Sequence, residues 1–173
     1  MTTFERLSTY SRPRLQDIIN KISLCENVPP YLLWELIIEL LSTVKVAVQR
    51  IECSSLPPQN ADLPGIDESL IQLTTVAETF SGWLIRAEDN CGRCIALKVI
   101  SPERTAHVNA YTDAAISFVN TSNLPLEIRQ SVSCGLKQLV DWELDLYKER
   151  CALAVFHKIT ENNSGIIVPA PFP

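Results

Sequence analysis

The stretch from Pro30 to Ile51, PYLLWELIIELLSTVKVAVQRI, constrains the fold more than any other part of the chain. With a helical period it places Leu32, Leu33, Leu36, Ile37, Leu40, Leu41, Val44, Val48 and Ile51, together with Tyr31 and Ala47, around most of a helix. A narrow polar stripe of Glu35, Glu39, Ser42 and Gln49 remains. A helix that is apolar over most of its circumference has to be surrounded, so it is expected to be the buried central element of the fold. Pro29 and Pro30 suit a helix start, where a missing N–H costs nothing, and Glu35 lies near enough to that end to favour the dipole. The rival reading is a membrane span, for which about 20 apolar residues suffice. Glu35, Glu39 and Lys45 fall inside the run, and a charge at the bilayer centre costs about 3 kcal/mol, so the expectation is a buried helix and no membrane.

A chain of 173 residues is long enough to bury a core without disulfides or metals, and one helical domain is expected over residues 1–160. The net charge of −5 argues against nucleic acid as the main partner, because phosphate binding needs a concentrated basic face. The cations near the start, Arg6, Arg12, Arg14 and Lys21, are interleaved with Glu5 and Asp17 and read as a solvated face. MTTFERLSTY has no apolar core of a secretory signal, so a cytoplasmic location, or a place in an intracellularly assembled particle, is expected. The six cysteines are then free thiols, and Cys134 and Cys151, among helical apolar positions, read as small buried hydrophobes.

Along the chain, Phe4, Leu7 and Tyr10 suggest a short first helix. Ser11 and Pro13 read as a break, after which Leu15, Ile18, Ile19 and Ile22 define a new helical face before the central helix. Residues 53–66, rich in Pro, Ser and Asn, form an irregular linker. Asp67 is expected to cap a helix carrying Leu70, Ile71, Leu73, Thr74, Val76, Ala77 and Phe80. Residues 83–100 read as a β-hairpin with Asp89–Asn90–Cys91–Gly92 at its tip. Ser101–Pro102 opens a further helix, with Ala106, Ala110, Ala114, Ala115, Phe118 and Val119 expected inward. Pro125 begins a long last helix, with Ile128, Val132, Leu136, Leu139, Val140, Tyr147, Cys151 and Val155 as its inward stripe as far as Ile159. The fold class expected is mainly α: a helical bundle of about five helices around a buried central helix, with a short β-hairpin insertion and an extended C-terminal arm over 161–173.

Few motifs carry chemistry. Cys91–Gly92–Arg93–Cys94 has the spacing of half a zinc site, but tetrahedral zinc takes four ligands and His107 and His157 stand alone, so Cys91 and Cys94 read first as two thiols in a tight turn. A thioredoxin-type pair would open a helix, whereas IALKVI reads as strand. The run Cys94–Ile100 resembles the strand of protein kinases that bears their phosphate-pairing lysine. No glycine-rich loop precedes it and no HRD or DFG follows, so Lys98 receives no catalytic role. Glu35 and Glu39 lack the Glu-x-x-His pattern of di-metal bundles and read as a solvated stripe. No catalytic residue, cofactor or resident metal is expected.

Partner contacts are better signalled. Trp142, Leu146 and Leu153 fall off the inward stripe of the last helix and suggest a second apolar face. The arm supplies Ile166, Ile167, Val168 and Phe172, and its alternating prolines exclude helix and favour a polyproline II segment. The helical core, the inserted hairpin, the helix led by Leu124, Pro125, Glu127 and Arg129, and the extended arm have a layout that resembles phage head-to-tail adaptor proteins. That resemblance implies a structural role in a virion. The expected function is a non-catalytic assembly subunit that docks with other protein subunits, as a homo- or hetero-oligomer, through its last helix and arm. The alternatives are a small cytosolic redox or metal-binding protein using Cys91 and Cys94, and a regulatory protein-binding module.

Overall fold

The first helix, α1 (Thr3–Ser23), runs straight through Pro13 in the computed structural model, which describes residues 3–51, 70–161 and 170, without the side chains of 3–12 and 70–72. The break expected at Ser11–Pro13 is therefore absent. Proline removes one rung of the helical ladder, while the turns that follow bury Leu15, Ile18, Ile19 and Ile22 on the expected face. The linker 53–66, the cap Asp67 and nearly all of the arm lie outside the described residues.

The chain is mostly helical, with a small three-stranded antiparallel sheet, in the order α1, α2 (Pro30–Gln49), β1 (Leu70–Glu78), β2 (Gly82–Asp89), β3 (Cys94–Ile100), α3 (Pro102–Asn120), α4 (Leu126–Leu144) and α5 (Leu146–Thr160). It groups into two compact units. One comprises Met1–Leu56, Thr79–Gly82 and Ile100–Val140; the other comprises Pro57–Glu78, Trp83–Val99 and Asp141–Pro173.

In the first unit α1, α2 and α3 pack on one another. Pro30 starts α2 as expected, and Leu32, Leu36, Ile37, Leu40, Leu41, Val44 and Val48 are buried. The helix is less enclosed than its composition predicts, because Tyr31, Trp34, Ile38 and Val46 are exposed. No helix among the described residues is long and apolar enough to cross a membrane. Glu39 of the polar stripe is half-buried and meets Arg14 Nε of α1 at 3.1 Å, so part of that stripe faces a neighbouring helix. Ser101 caps α3 by accepting from the Arg104 backbone N–H. The inward face of α3 is Arg104, Val108, Tyr111, Thr112, Ala115 and Val119; Ala106 and Ala110, expected inward, are exposed. Val132, Leu136 and Val140 of α4 are buried as expected. The β1–β2 turn also belongs to this unit, with Phe80 buried and Lys45 Nζ 4.9 Å from the centre of its ring.

The second unit contains most of the sheet. The helix expected after Asp67 is instead β1, which pairs antiparallel with β2 in the register Leu73↔Ala87, Thr75↔Ile85 and Glu78↔Trp83, with irregularities between Leu70 and Gln72 and between Thr75 and Ala77. Four β-branched residues in the strand, Ile71, Thr74, Thr75 and Val76, fit a pleated surface better than a helix. Along β2 the buried residues Trp83, Ile85, Ala87 and Asp89 alternate with exposed Arg86 and half-buried Leu84 and Glu88. The β2–β3 hairpin lies where it was expected.

Candidate functional site

The long last helix expected from Pro125 is two helices. Asp145, at φ −93° and ψ 87°, leaves the helical region, and its side chain accepts from the Lys148 backbone N–H at 3.0 Å to begin α5. That backbone bond, and then the Lys148 side chain, hold the Asp145 carboxyl below the usual carboxylate range. His157 and Lys158 in the last turn complement the other end of the dipole. The interruption shifts the helical phase, so the stripe read across it does not continue inward.

None of the residues of α5 is buried. Tyr147, Cys151 and Val155, expected inward, are exposed, Tyr147 at 75%. At about 100° per residue, Val155, Phe156 and Ile159 share one face, with Phe156 60% and Ile159 70% exposed. Leu146 and Leu153, seven residues apart, share another face, the first exposed and the second half-buried. Trp142, at the end of α4, is 58% exposed. Of the partner-binding residues predicted from sequence, Trp142 and Leu146 are thus at the surface and Leu153 is partly so. Ile166, Ile167, Val168 and Phe172 lie outside the described residues. The sequence pattern does not single out Phe156 and Ile159 as surface residues, since their outward phase depends on the break at Asp145. The second unit also holds an ion pair between β3 and α5, Lys98 Nζ to Glu149 Oε2 at 2.6 Å, so the kinase-like lysine has a structural partner.

The hairpin tip explains the Cys91–Cys94 spacing. Asp89 Oδ1 accepts from the backbone N–H groups of Cys91 and Arg93 at 2.9 and 2.8 Å, and Oδ2 accepts from Arg93 Nε at 2.6 Å. Gly92 takes φ +75°, a left-handed conformation that costs glycine little. The N–H of Arg93, with its side chain and the Cys91 N–H, holds the Asp89 carboxyl below its ordinary value although the residue is only 3% exposed. Cys91 and Cys94 are exposed free thiols, and Arg86 Nη2 lies 3.0 Å from Cys94 Sγ. Among the described residues no three His, Cys, Asp or Glu side chains come together as a metal-ligand set. Cys134 and Cys151, expected to be buried, are also exposed.

The first unit carries a groove of about 540 Å³ between α2 and α4, lined by Leu33, Trp34 and Ile37 on one side and by Gln130, Cys134 and Gln138 on the other. Gly135 of α4 also lines it and stands so close to Ile37 that a Cβ there would require the end of the isoleucine side chain to shift. No family model, curated protein or solved structure matches this chain.

Proposed function

We propose that this chain is a non-catalytic helical subunit that docks with other protein subunits in a larger assembly, in its most specific form a virion head-to-tail adaptor-like part. The observation that carries the reading is α5, a complete helix with no buried residue that nevertheless displays Tyr147, Val155, Phe156 and Ile159. Isolated helices of this length are marginal in water, and helical stability in proteins comes from packing an apolar face. A partner helix or groove laid over Val155, Phe156 and Ile159 supplies that packing. The helical bundle of the fold-class expectation is then the scaffold, and the arm over 161–173 a second contact.

The test is a double substitution, Phe156→Glu with Ile159→Glu, followed by light scattering at matched concentrations and by circular dichroism. The assembled mass is expected to fall, and the helical signal to drop by no more than the contribution of the 15 residues of α5, the other helices keeping theirs. An assembled mass equal to that of the unsubstituted chain overturns the reading.

A second reading, a small redox or metal-binding protein using Cys91 and Cys94, has one observation in its favour. Arg86 stands at hydrogen-bonding distance from Cys94 Sγ, the kind of cationic neighbour that redox cysteines use. Elemental analysis for zinc, together with thiol titration, tests it; absence of both metal and enhanced thiol reactivity removes it.

A further inference from the structure

The groove between α2 and α4 has a composition that points to one kind of ligand. Trp34, 55% exposed, offers a flat aromatic face beside the aliphatic Leu33 and Ile37. Gln130 and Gln138 present side-chain amides from α4, and none of the side chains lining the groove is charged. Aromatic faces flanked by hydrogen-bonding side chains recognise polyproline II segments. Prolines pack on the ring, and the backbone carbonyls, which this helix leaves without internal partners, accept from the donors alongside.

We propose that this groove receives residues 166–173, IIVPAPFP, of a neighbouring copy of the chain. The inference rests on the reading of the chain as an assembly subunit, and names the surface that its arm engages. The side chains match in charge: the segment carries no ionised side chain and the groove offers none, so docking strips water from no charged side chain. The groove is long enough for about half of this eight-residue segment, which as polyproline II throughout would extend roughly 25 Å. The lining reaches from Pro30 to Ile37 on α2 and from Gln130 to Gln138 on α4, roughly 10–12 Å of each helix at 1.5 Å per residue. About four residues of polyproline II, at 3.1 Å each, span that distance. Prolines at 169, 171 and 173 stiffen the segment beforehand, so less entropy is lost when it is held. Arm and groove are different surfaces of one chain, and a contact of that kind propagates head to tail, closing into a ring or extending as a filament.

The test uses the full chain and a fluorescein-labelled peptide of residues 164–173. A chain carrying Pro169→Ala, Pro171→Ala and Pro173→Ala presents a groove without a competing arm, and is expected to bind the peptide saturably by fluorescence anisotropy. Adding Trp34→Ala is expected to weaken binding at least about tenfold, as for the aromatic anchor of an interface. Gln130→Ala with Gln138→Ala is expected to weaken it by a separate route. A peptide with alanine at its three proline positions should bind no more tightly than the labelled peptide binds the Trp34→Ala chain. By light scattering the unsubstituted chain is expected to grow in mass with concentration, and the chain with the three proline substitutions to remain smaller. Absence of peptide binding, or binding indifferent to Trp34 and to the prolines, overturns the site. Peptide binding by a chain that stays monomeric at every concentration overturns delivery from a neighbour. Because the α5 substitutions leave the groove untouched, assembly lost through α5 with peptide binding intact, or the reverse, separates failure of the assembly reading from failure of the groove.

Discussion

Gly135 of α4 stands against Ile37 of α2 so closely that a Cβ on the glycine would fall 2.7 Å from Ile37 Cδ1. Two effects oppose each other at this position. Alanine inside a helix is favoured over glycine by about 1 kcal/mol, but the new methyl has to displace the end of a buried isoleucine. Ile37→Val removes that end atom. Gly135→Ala is therefore expected to stabilise the Ile37→Val chain by about 0.5–1 kcal/mol and to stabilise the unsubstituted chain by less, or to destabilise it. A double-mutant cycle by urea denaturation measures the difference; equal effects on the two backgrounds would show that the close approach costs nothing.

Arg104, 3% exposed in the first turn of α3, donates from Nη1 to the Thr79 carbonyl at 2.8 Å, and the Ser101 backbone N–H donates to the Ser81 carbonyl at 2.9 Å. The start of α3 and the β1–β2 turn are thus fastened by polar groups that have little access to water. Arg104→Ala leaves a carbonyl unmet and opens space, and is expected to cost about 2–4 kcal/mol, while Ser101→Ala, the loss of a helix cap, costs about 1 kcal/mol. Denaturation midpoints order the two. A smaller effect for Arg104→Ala than for Ser101→Ala would mean that the arginine is not a fastening.

Much of this was legible in the sequence where one physical requirement dominated. Pro30 and the Ser101–Pro102 pair mark helix starts because proline is tolerated there and serine can cap, and the Ile18–Ile22 and Val132–Val140 faces follow a helical spacing that the structure buries. The failures share a cause, which is that local pattern was ambiguous and a distant partner decided. Leu70, Leu73, Val76 and Ala77 satisfy a helical period, yet the same residues lie in β1 because β2 offers a backbone edge in register. Asp145 sits in a run whose apolar spacing continues on both sides, and the capping bond to Lys148 resets the phase of everything after it. Tyr147, Cys151 and Val155 consequently face solvent, whereas Cys134, which precedes the break, is exposed because it lines the open groove between α4 and α2. For the candidate site, Trp142 and Leu146 were readable as off-stripe residues, whereas the groove beside Trp34 depends on where α4 approaches α2, which no local spacing encodes.

The hairpin tip carries a pH dependence. The folded Asp89 carboxyl lies below its unfolded value because backbone N–H groups and Arg93 bind its ionised form. The stability it contributes is therefore fully present above the unfolded carboxylate value, near pH 4, and is lost as pH falls through the lower folded value. The hairpin amides of Cys91 and Arg93 are expected to exchange faster with solvent as pH is lowered through that range, after correction for intrinsic exchange. Asp89→Asn keeps one acceptor but sets an amide N–H₂ or an uncharged oxygen against Arg93, so its amides should be less protected at neutral pH, with a flatter pH profile. Equal profiles for the two chains would remove Asp89 as the origin.

Exposure of the α5 face can be separated from a role in the fold by comparing two deletions. Leu136 is fully buried in α4, and Leu136→Ala is expected to cost about 2–5 kcal/mol from lost transfer and the cavity left behind. Phe156 is the larger side chain, yet it is 60% exposed, and Phe156→Ala is expected to change stability by no more than about 0.5 kcal/mol, as for surface positions that make no special contact. The comparison has to be made at concentrations where the chain is dispersed, because a partner bound to the folded state would add its own binding free energy to the apparent stability. Under those conditions chemical denaturation should show a large shift for Leu136→Ala and almost none for Phe156→Ala. If Phe156→Ala costs as much as Leu136→Ala, the aromatic ring is part of the chain's own core and is not free to receive a partner; if it costs little when dispersed and much when concentrated, the added term is the docking energy itself.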